Sequence, residues 1–237
     1  MKLNDPALAR EEYATEAGLL GRRAAYKWAT GPNAPELVFE AVAEIDPLRV
    51  LEVGCGPGEL SERISSELRA SVVALDLSPR MVTLARSRGV DARLGDAQAL
   101  TFADSTFDCV VAAWMLYHVP DVDRALRESA RVLRPGGRLV AVTNYLDHLA
   151  ELRALAPRPV TETAFSGENG RELLGAHFAH VEERDAGGTI RFPNREAVVA
   201  YLRASISLKD AELRLPDFDG PFVVRRHPTI FVAEKAS

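Results

Sequence analysis

Glu52, Gly54, Gly56 and Gly58 fall within seven consecutive residues, Asp76 follows 18 residues after Gly58, and Asp96 follows 20 residues after Asp76. Closely spaced glycines let a ligand approach the main chain, and carboxylates accept hydrogen bonds from ammonium or hydroxyl groups. A carboxylate at Glu52, immediately before the turn, would repel a phosphate. The dinucleotide fingerprint would also need glycine at position 59, where Glu59 stands. A nicotinamide-dinucleotide dehydrogenase is therefore the weaker reading of this turn, and a ligand with hydroxyls or a cationic group the stronger. His118, in the aromatic-rich run Trp114 to Pro120, is the best-placed general base in the chain. A histidine in such a loop serves equally as a structural donor.

The elements that must position these groups are legible around them. Val50, Leu51 and Val53 read as a strand buried on both faces, and Leu60, Ile64 and Leu68 give the following segment helical periodicity. A second strand, Ser71 to Leu75, ends at Asp76, where a carboxylate can accept both hydroxyls of a ribose; an Asp that merely caps the helix starting at Ser78-Pro79 is the alternative. A third strand, Ala92 to Leu94, leads to Asp96 and Ala97. A fourth, Phe107 to Ala113, leads to the His118 loop. The helix Asp121 to Leu133 stops at Arg134-Pro135-Gly136-Gly137 before a fifth strand, Arg138 to Thr143. Strands alternating with helices predict an α/β fold with a parallel sheet and ligands at its carboxyl edge.

The flanks are more individual. Residues 1–34 predict a helical N-terminal lid, helical from Ala7 to Leu20, carrying Arg22, Arg23, Tyr26, Lys27 and Trp28; Tyr26 and Trp28 either cover a ligand or pack on the surface. An amphipathic helix occupies 35–45. Beyond the fifth strand, Asn144 and His148 fall where an acceptor pocket would lie, a Pro-rich loop occupies 155–159, and a helix is expected over Arg171 to Phe178. His180 to Asp185 reads as a sixth strand, Asn194 to Ser207 as an amphipathic helix, and Pro228 to Ala233 as the last strand.

The 237 residues suit one large domain with a modest appendage, and 47% hydrophobic with 27% charged residues is ordinary for a globular chain. A net charge of −5 argues against nonspecific nucleic-acid or anionic-membrane binding. The two cysteines, Cys55 and Cys109, show no C-x-x-C spacing, so neither zinc nor another metal is implied and a reducing, cytoplasmic setting is expected. No signal-like N-terminus and no apolar run of about 20 residues is present.

Taken together, Leu51 to Gly58, Asp76 to Met81, Gly95-Asp96-Ala97, Phe107-Asp108 with Leu116 to Val119, and Leu133 to Gly137 resemble the class I S-adenosylmethionine-dependent methyltransferases, specifically the small-molecule group called type 11. The resemblance spans roughly residues 35 to 145. It implies a Rossmann-like, doubly wound sheet of seven mostly parallel strands with the last antiparallel, and a methyltransferase domain over 35–237 with a substrate cap at about 144–175. It implies S-adenosyl-L-methionine as cofactor, with Gly54, Cys55, Gly56 and Gly58 admitting its amino acid part and Glu52 orienting its ammonium. Asp76 would hold the ribose, Leu77 and Met81 would pack near the adenine, Asp96 and Ala97 would read the adenine edge, and Ala113 and Trp114 would lie near the sulfonium. Tyr26, Trp28, Tyr117, His118, Asn144 and His148 are the expected acceptor-binding residues. The function implied is methyl transfer to an oxygen, nitrogen or carbon nucleophile of a small molecule, without nucleic acid or membrane partners, by a monomer or homodimer. The alternative is a regulatory or partner protein that binds the cofactor without transferase activity.

Overall fold

The computed structural model describes residue 4 and residues 17–155, 163–204 and 212–237. Its core is one sheet of seven strands: β2 (Arg49–Val53), β3 (Ser71–Asp76), β4 (Asp91–Leu94), β5 (Phe107–Ala113), β6 (Leu133–Asn144), β7 (His180–Asp185) and β10 (Pro228–Glu234), in the order β4-β3-β2-β5-β6-β10-β7. Pairing is parallel from β4 through β6, and β10 runs antiparallel to both β6 and β7. Strand order reverses between β2 and β5, which places a crevice at the carboxyl ends of those two strands.

Two apolar layers clamp this sheet. On one face α2 (Ala34–Ala43) and α3 (Glu59–Glu67) pack Val38, Val42 and Ile64 against Val50, Val111 and Val140, while α4 (Pro79–Ser87) packs Val82 and Ala85 against Ala74 and Ala92. On the other, α5 (Val122–Val132) and α7 (Gly170–Gly175) pack Leu126, Val132 and Leu174 against Leu51, Val110 and Leu139. Asp108, buried near the start of β5, accepts hydrogen bonds from the N–H groups of Leu48 (2.6 Å) and Arg49 (2.8 Å) and pairs with Arg134 at 3.0 Å. It fixes the entry of β2 beside β5, the hydrogen-bonding role its position suggests.

Three features differ from the sequence reading. Arg134 to Gly137 is not a separate turn: Leu133 already pairs with Phe107, and the ladder resumes at Arg138 opposite Cys109 after a register shift. The helix expected over Arg171 to Phe178 is the shorter α7. The N-terminal segment is not purely helical: α1 (Ala17–Arg23) and a 3-10 turn (Ala24–Trp28) lead into β1 (Ala29–Thr30), which pairs with β8 (Gly188–Phe192), itself paired with β9 (Phe222–Arg226). This second, antiparallel sheet shares a small core with α6 (Ala150–Ala154) and α8 (Arg195–Ala204), built from Ala25, Leu149, Leu152, Ile190, Phe192, Val198, Leu202 and Val224. N-terminal and C-terminal segments thus form one cap. The expected helix before Ala17 and most of the expected loop at 155–159 lie outside the described residues.

Candidate functional site

The glycine turn joins β2 to α3, and each glycine has its own steric reason. Gly58 has φ +83°, and a Cβ there would stand 2.7 Å from the Ala85 Cβ of α4; Gly54 has φ +70°, and a Cβ would stand 2.7 Å from that of Met115. Gly56, φ +53°, meets nothing within 4 Å, so its main chain faces open space. The turn is held against β3 by the Gly54 and Cys55 N–H groups, which donate to the Leu75 carbonyl at 2.7 and 3.0 Å.

Two carboxyl groups flank the turn. Asp76 Oδ2 accepts from the Gly56 N–H at 2.9 Å, and Oδ1 accepts from the Ser78 N–H at 2.8 Å. Enclosure raises its pKa above the ordinary aspartate value against these hydrogen bonds. Each oxygen retains lone-pair capacity for a further donor. Glu52 is almost wholly buried on the α3 face, where the Ser61 hydroxyl donates to it. Burial pushes its pKa up to about 7, opposed by Ser61 and reinforced by the nearby Asp76 charge. The Gly56 N–H that a phosphate would need is thus engaged by Asp76. Glu59 stands at the first position of α3, its carboxylate paired with Arg23, where a pyrophosphate would dock.

Around this centre the other expected residues separate into groups. Leu77 projects beside Asp76 and is 56% exposed, an apolar surface suited to a planar ring, whereas Met81 and Ala97 are buried in the packing beneath. Asp96 lies in a turn after β4, its carboxylate accepting from the Gln98 N–H (2.9 Å) and side-chain amide (3.0 Å). Ala113 ends β5; Trp114 follows in the left-handed region (φ +54°) with its N–H donated to the Val142 carbonyl at 3.0 Å. Backbone strain of this kind persists where surrounding structure fixes it. Tyr117 and His118 lie on the 3-10 turn Leu116–His118, ring centroids 4.4 Å apart.

On the acceptor side, Asn144 ends β6, and its buried Oδ1 has no hydrogen-bond partner. Tyr26 is 39% exposed, although its hydroxyl is enclosed enough for burial to raise its pKa. Trp28 packs against Phe192 at 5.9 Å under the Lys27 ammonium, within the cap core. His148 is buried; its Nδ1 accepts the His227 N–H at 2.9 Å, and burial, aided by Arg153 and Arg226, pushes its pKa down to about 3. Its neutral ring ties the segment after β6 to His227, the link between β9 and β10. Ser61 and Met115, which complete the glycine turn, escaped the sequence reading, and Arg23 was read only as part of the lid's basic cluster; Ser61 carried the one available signal, a small polar residue on the inward face of an amphipathic helix. A carboxyl pair around open glycine backbone at the β2/β5 crevice fits a ligand with an ammonium group and a ribose, and gives a pyrophosphate no seat.

Comparison with known proteins agrees with this geometry. Residues 51–141 match the family model described as "Methyltransferase domain". Methyltransferase GfsG of Streptomyces halstedii is 36% identical over 132 residues, 51% of this chain and 48% of that protein. A ubiquinone biosynthesis O-methyltransferase of Xanthomonas oryzae pv. oryzae is 43% identical over 102 residues, 40% of this chain and 42% of that one. The chain thus spans about half the length of these curated relatives. Among solved structures, phosphoethanolamine N-methyltransferase 2 of Haemonchus contortus in complex with S-adenosyl-L-methionine shares the fold, with a TM-score of 0.64 and 18% identity, over 100% of this chain and 60% of that one. The family match falls on the segment that builds the crevice, residues 51–141 of the seven-stranded sheet, and the chain shares the fold of that solved methyltransferase.

Proposed function

We propose that the chain transfers a methyl group from S-adenosyl-L-methionine to an oxygen, nitrogen or carbon nucleophile of a small molecule. The observation that carries this reading is the bracing of Asp76 against the Gly56 N–H beside the buried Glu52, at the point where strand order reverses. When bound, the cofactor supplies an activated methyl group on a positively charged sulfur, which a nucleophile in line with the carbon–sulfur bond accepts as that bond breaks. The chain's residues bind and align: Asp76 accepts the ribose hydroxyls, Glu52 faces the ammonium, Leu77 packs on the adenine with Asp96 and Ala97 at its edge, and Ala113 and Trp114 floor the reacting end. Alignment alone supplies a large part of such a rate. His118 takes the proton of a hydroxyl acceptor, and Tyr26, Tyr117 and Asn144 line the acceptor pocket, the Asn144 Oδ1 receiving a donor from the acceptor molecule. The cap formed by residues 17–34 and the C-terminal strands closes over this site, and a cytoplasmic location fits the cofactor.

Turnover against a panel of phenols, hydroxy acids and amines tests the reading, with S-adenosylhomocysteine formation as readout. Product with at least one acceptor, lost in Asp76→Ala, is expected. Binding of the cofactor with no product across the panel would favour a binding protein without transferase activity.

A further inference from the structure

Gln98 is bonded at both ends of its side-chain amide. Nε2 donates to the two oxygens of the Asp96 carboxylate at 3.0 and 3.2 Å, and Oε1 accepts the Asp121 N–H at 3.1 Å. These partners fix which end is which, since a carboxylate only accepts and an N–H only donates. Asp96 Oδ1 also accepts the Gln98 N–H at 2.9 Å, so two donors fill it. Among the described residues Oδ2 has the longer amide contact alone, which leaves it a lone pair for a further donor. The turn behind it is closed in the main chain: the Ala99 N–H donates to the Asp96 carbonyl at 3.1 Å, and the Gly95 N–H donates to the Asp76 carbonyl at 3.1 Å.

Asp121, the partner at the other end, finishes the strap that leaves β5. At the start of the strap the Trp114 N–H donates to the Val142 carbonyl at 3.0 Å, and Met115 lies so close to the glycine turn that a Cβ on Gly54 would stand 2.7 Å from its own. In the middle, the His118 and Val119 N–H groups donate to the Met115 and Leu116 carbonyls at 2.9 and 3.1 Å, which forms the 3-10 turn carrying Tyr117 and His118. At its end Asp121 is held three ways: by its N–H on Gln98, by its carboxylate on the Arg124 N–H at 3.0 Å, and by its carbonyl on the Ala125 N–H at 3.2 Å. The strap thus meets the glycine turn at one end and the Asp96 turn at the other. We infer that Gln98 is a positioning residue of the methyl-transfer site: it presents Asp96 Oδ2 to the adenine amino group, and a seated adenine orders, through its amide, the strap that brings Tyr117 and His118 to the acceptor. This deepens the methyltransferase reading and rests on it. Order gained by binding at one end of such a chain lowers the cost of order at the other.

The test is amide hydrogen exchange of the full chain, followed by NMR, free and saturated with S-adenosylhomocysteine or with its 6-deamino analogue, in which hydrogen replaces the adenine amino group. In the wild type, S-adenosylhomocysteine should bind about tenfold more tightly than the analogue and slow exchange at His118, Val119 and Asp121 about tenfold more. In Gln98→Leu the two ligands should bind within about twofold of each other and leave those three amides unslowed, while the Gly54 and Cys55 amides, bonded to Leu75, are slowed as before. Because Gln98→Leu removes both bonds, a second variant guards against misfolding: Gln98→Glu keeps an oxygen for the Asp121 N–H but sets a carboxylate against Asp96, and should keep Asp121 exchange in the free protein slow while losing the preference for the amino group. Equal slowing of the strap by both ligands in the wild type, or an undiminished amino-group preference in the variants, would overturn the inference and leave Gln98 as the closure of its own turn. Failure of the wild-type chain to bind S-adenosylhomocysteine would overturn the methyltransferase reading and this inference with it, whereas binding that leaves the strap amides unslowed overturns the inference alone.

Discussion

Replacing Glu52 by glutamine should stabilise the free protein at alkaline pH while weakening its hold on the cofactor. The glutamine keeps an oxygen to accept the Ser61 hydroxyl and removes only the charge. A glutamate at 4.5 when unfolded and about 7 when folded binds its proton more tightly in the folded state, so its stabilising contribution is complete below 4.5 and is lost as pH rises through 7. Between pH 5.5 and pH 8 that loss comes to about 2 kcal/mol, or roughly 4–8 °C in melting temperature for a chain of this size. The assay is thermal unfolding of wild type and Glu52→Gln at both pH values without cofactor. The variant should show a correspondingly flatter pH dependence and the higher melting temperature at pH 8. Parallel pH dependences would refute the reasoning, because the buried carboxyl would then ionise as freely as in water. With cofactor the order reverses: at pH 6 only about one wild-type carboxyl in ten is ionised, so binding of an ammonium against it should weaken about tenfold from pH 8 to pH 6. That dependence should vanish in Glu52→Gln, along with much of the affinity.

Other outcomes follow from the same geometry. Gly58→Ala must place a Cβ 2.7 Å from Ala85 at φ +83°, and should cost about 1–3 kcal/mol in denaturant unfolding. Asp108→Ala strands the Leu48 and Arg49 N–H groups at the entry of β2 and should destabilise by about 2–4 kcal/mol, read by chemical denaturation, with little change in cofactor affinity once folded. Arg23→Ala unties α1 from Glu59; because both partners are partly exposed, stability should change by less than about 1 kcal/mol, while faster cofactor release should appear in stopped-flow fluorescence.

What the sequence made legible was the local part of the design. The three glycines, Glu52 and Asp76 lie in one β2-α3-β3 unit, where strand pattern and turn chemistry point the same way; the alternation of elements gave a parallel sheet, and its seven strands with the last antiparallel were implied by the family resemblance. The cap escaped because its pairings are remote: Ala29 meets Ile190, and Gly188 meets Arg226. β1 is two residues long, and only the alternation Thr189, Ile190, Arg191, Phe192 carried a strand signal for β8. Trp28 could not be assigned before its partner Phe192 was in place. Arg226 reads as a surface residue, since arginine is seldom buried, and nothing local announces that Thr30 and Pro32 will bring their carbonyls to it.

The central claim is that the Gly54 to Gly58 turn with Asp76 and Glu52 holds S-adenosylmethionine. Calorimetric titration of the purified chain and of Asp76→Ala with S-adenosylmethionine, S-adenosylhomocysteine and a nicotinamide dinucleotide tests it most directly. Binding of both sulfur nucleotides at micromolar concentration, weakened at least tenfold in the variant, with no binding of the dinucleotide, is the predicted result. Binding of the dinucleotide with neither sulfur nucleotide bound, or unchanged affinity in Asp76→Ala, would contradict it.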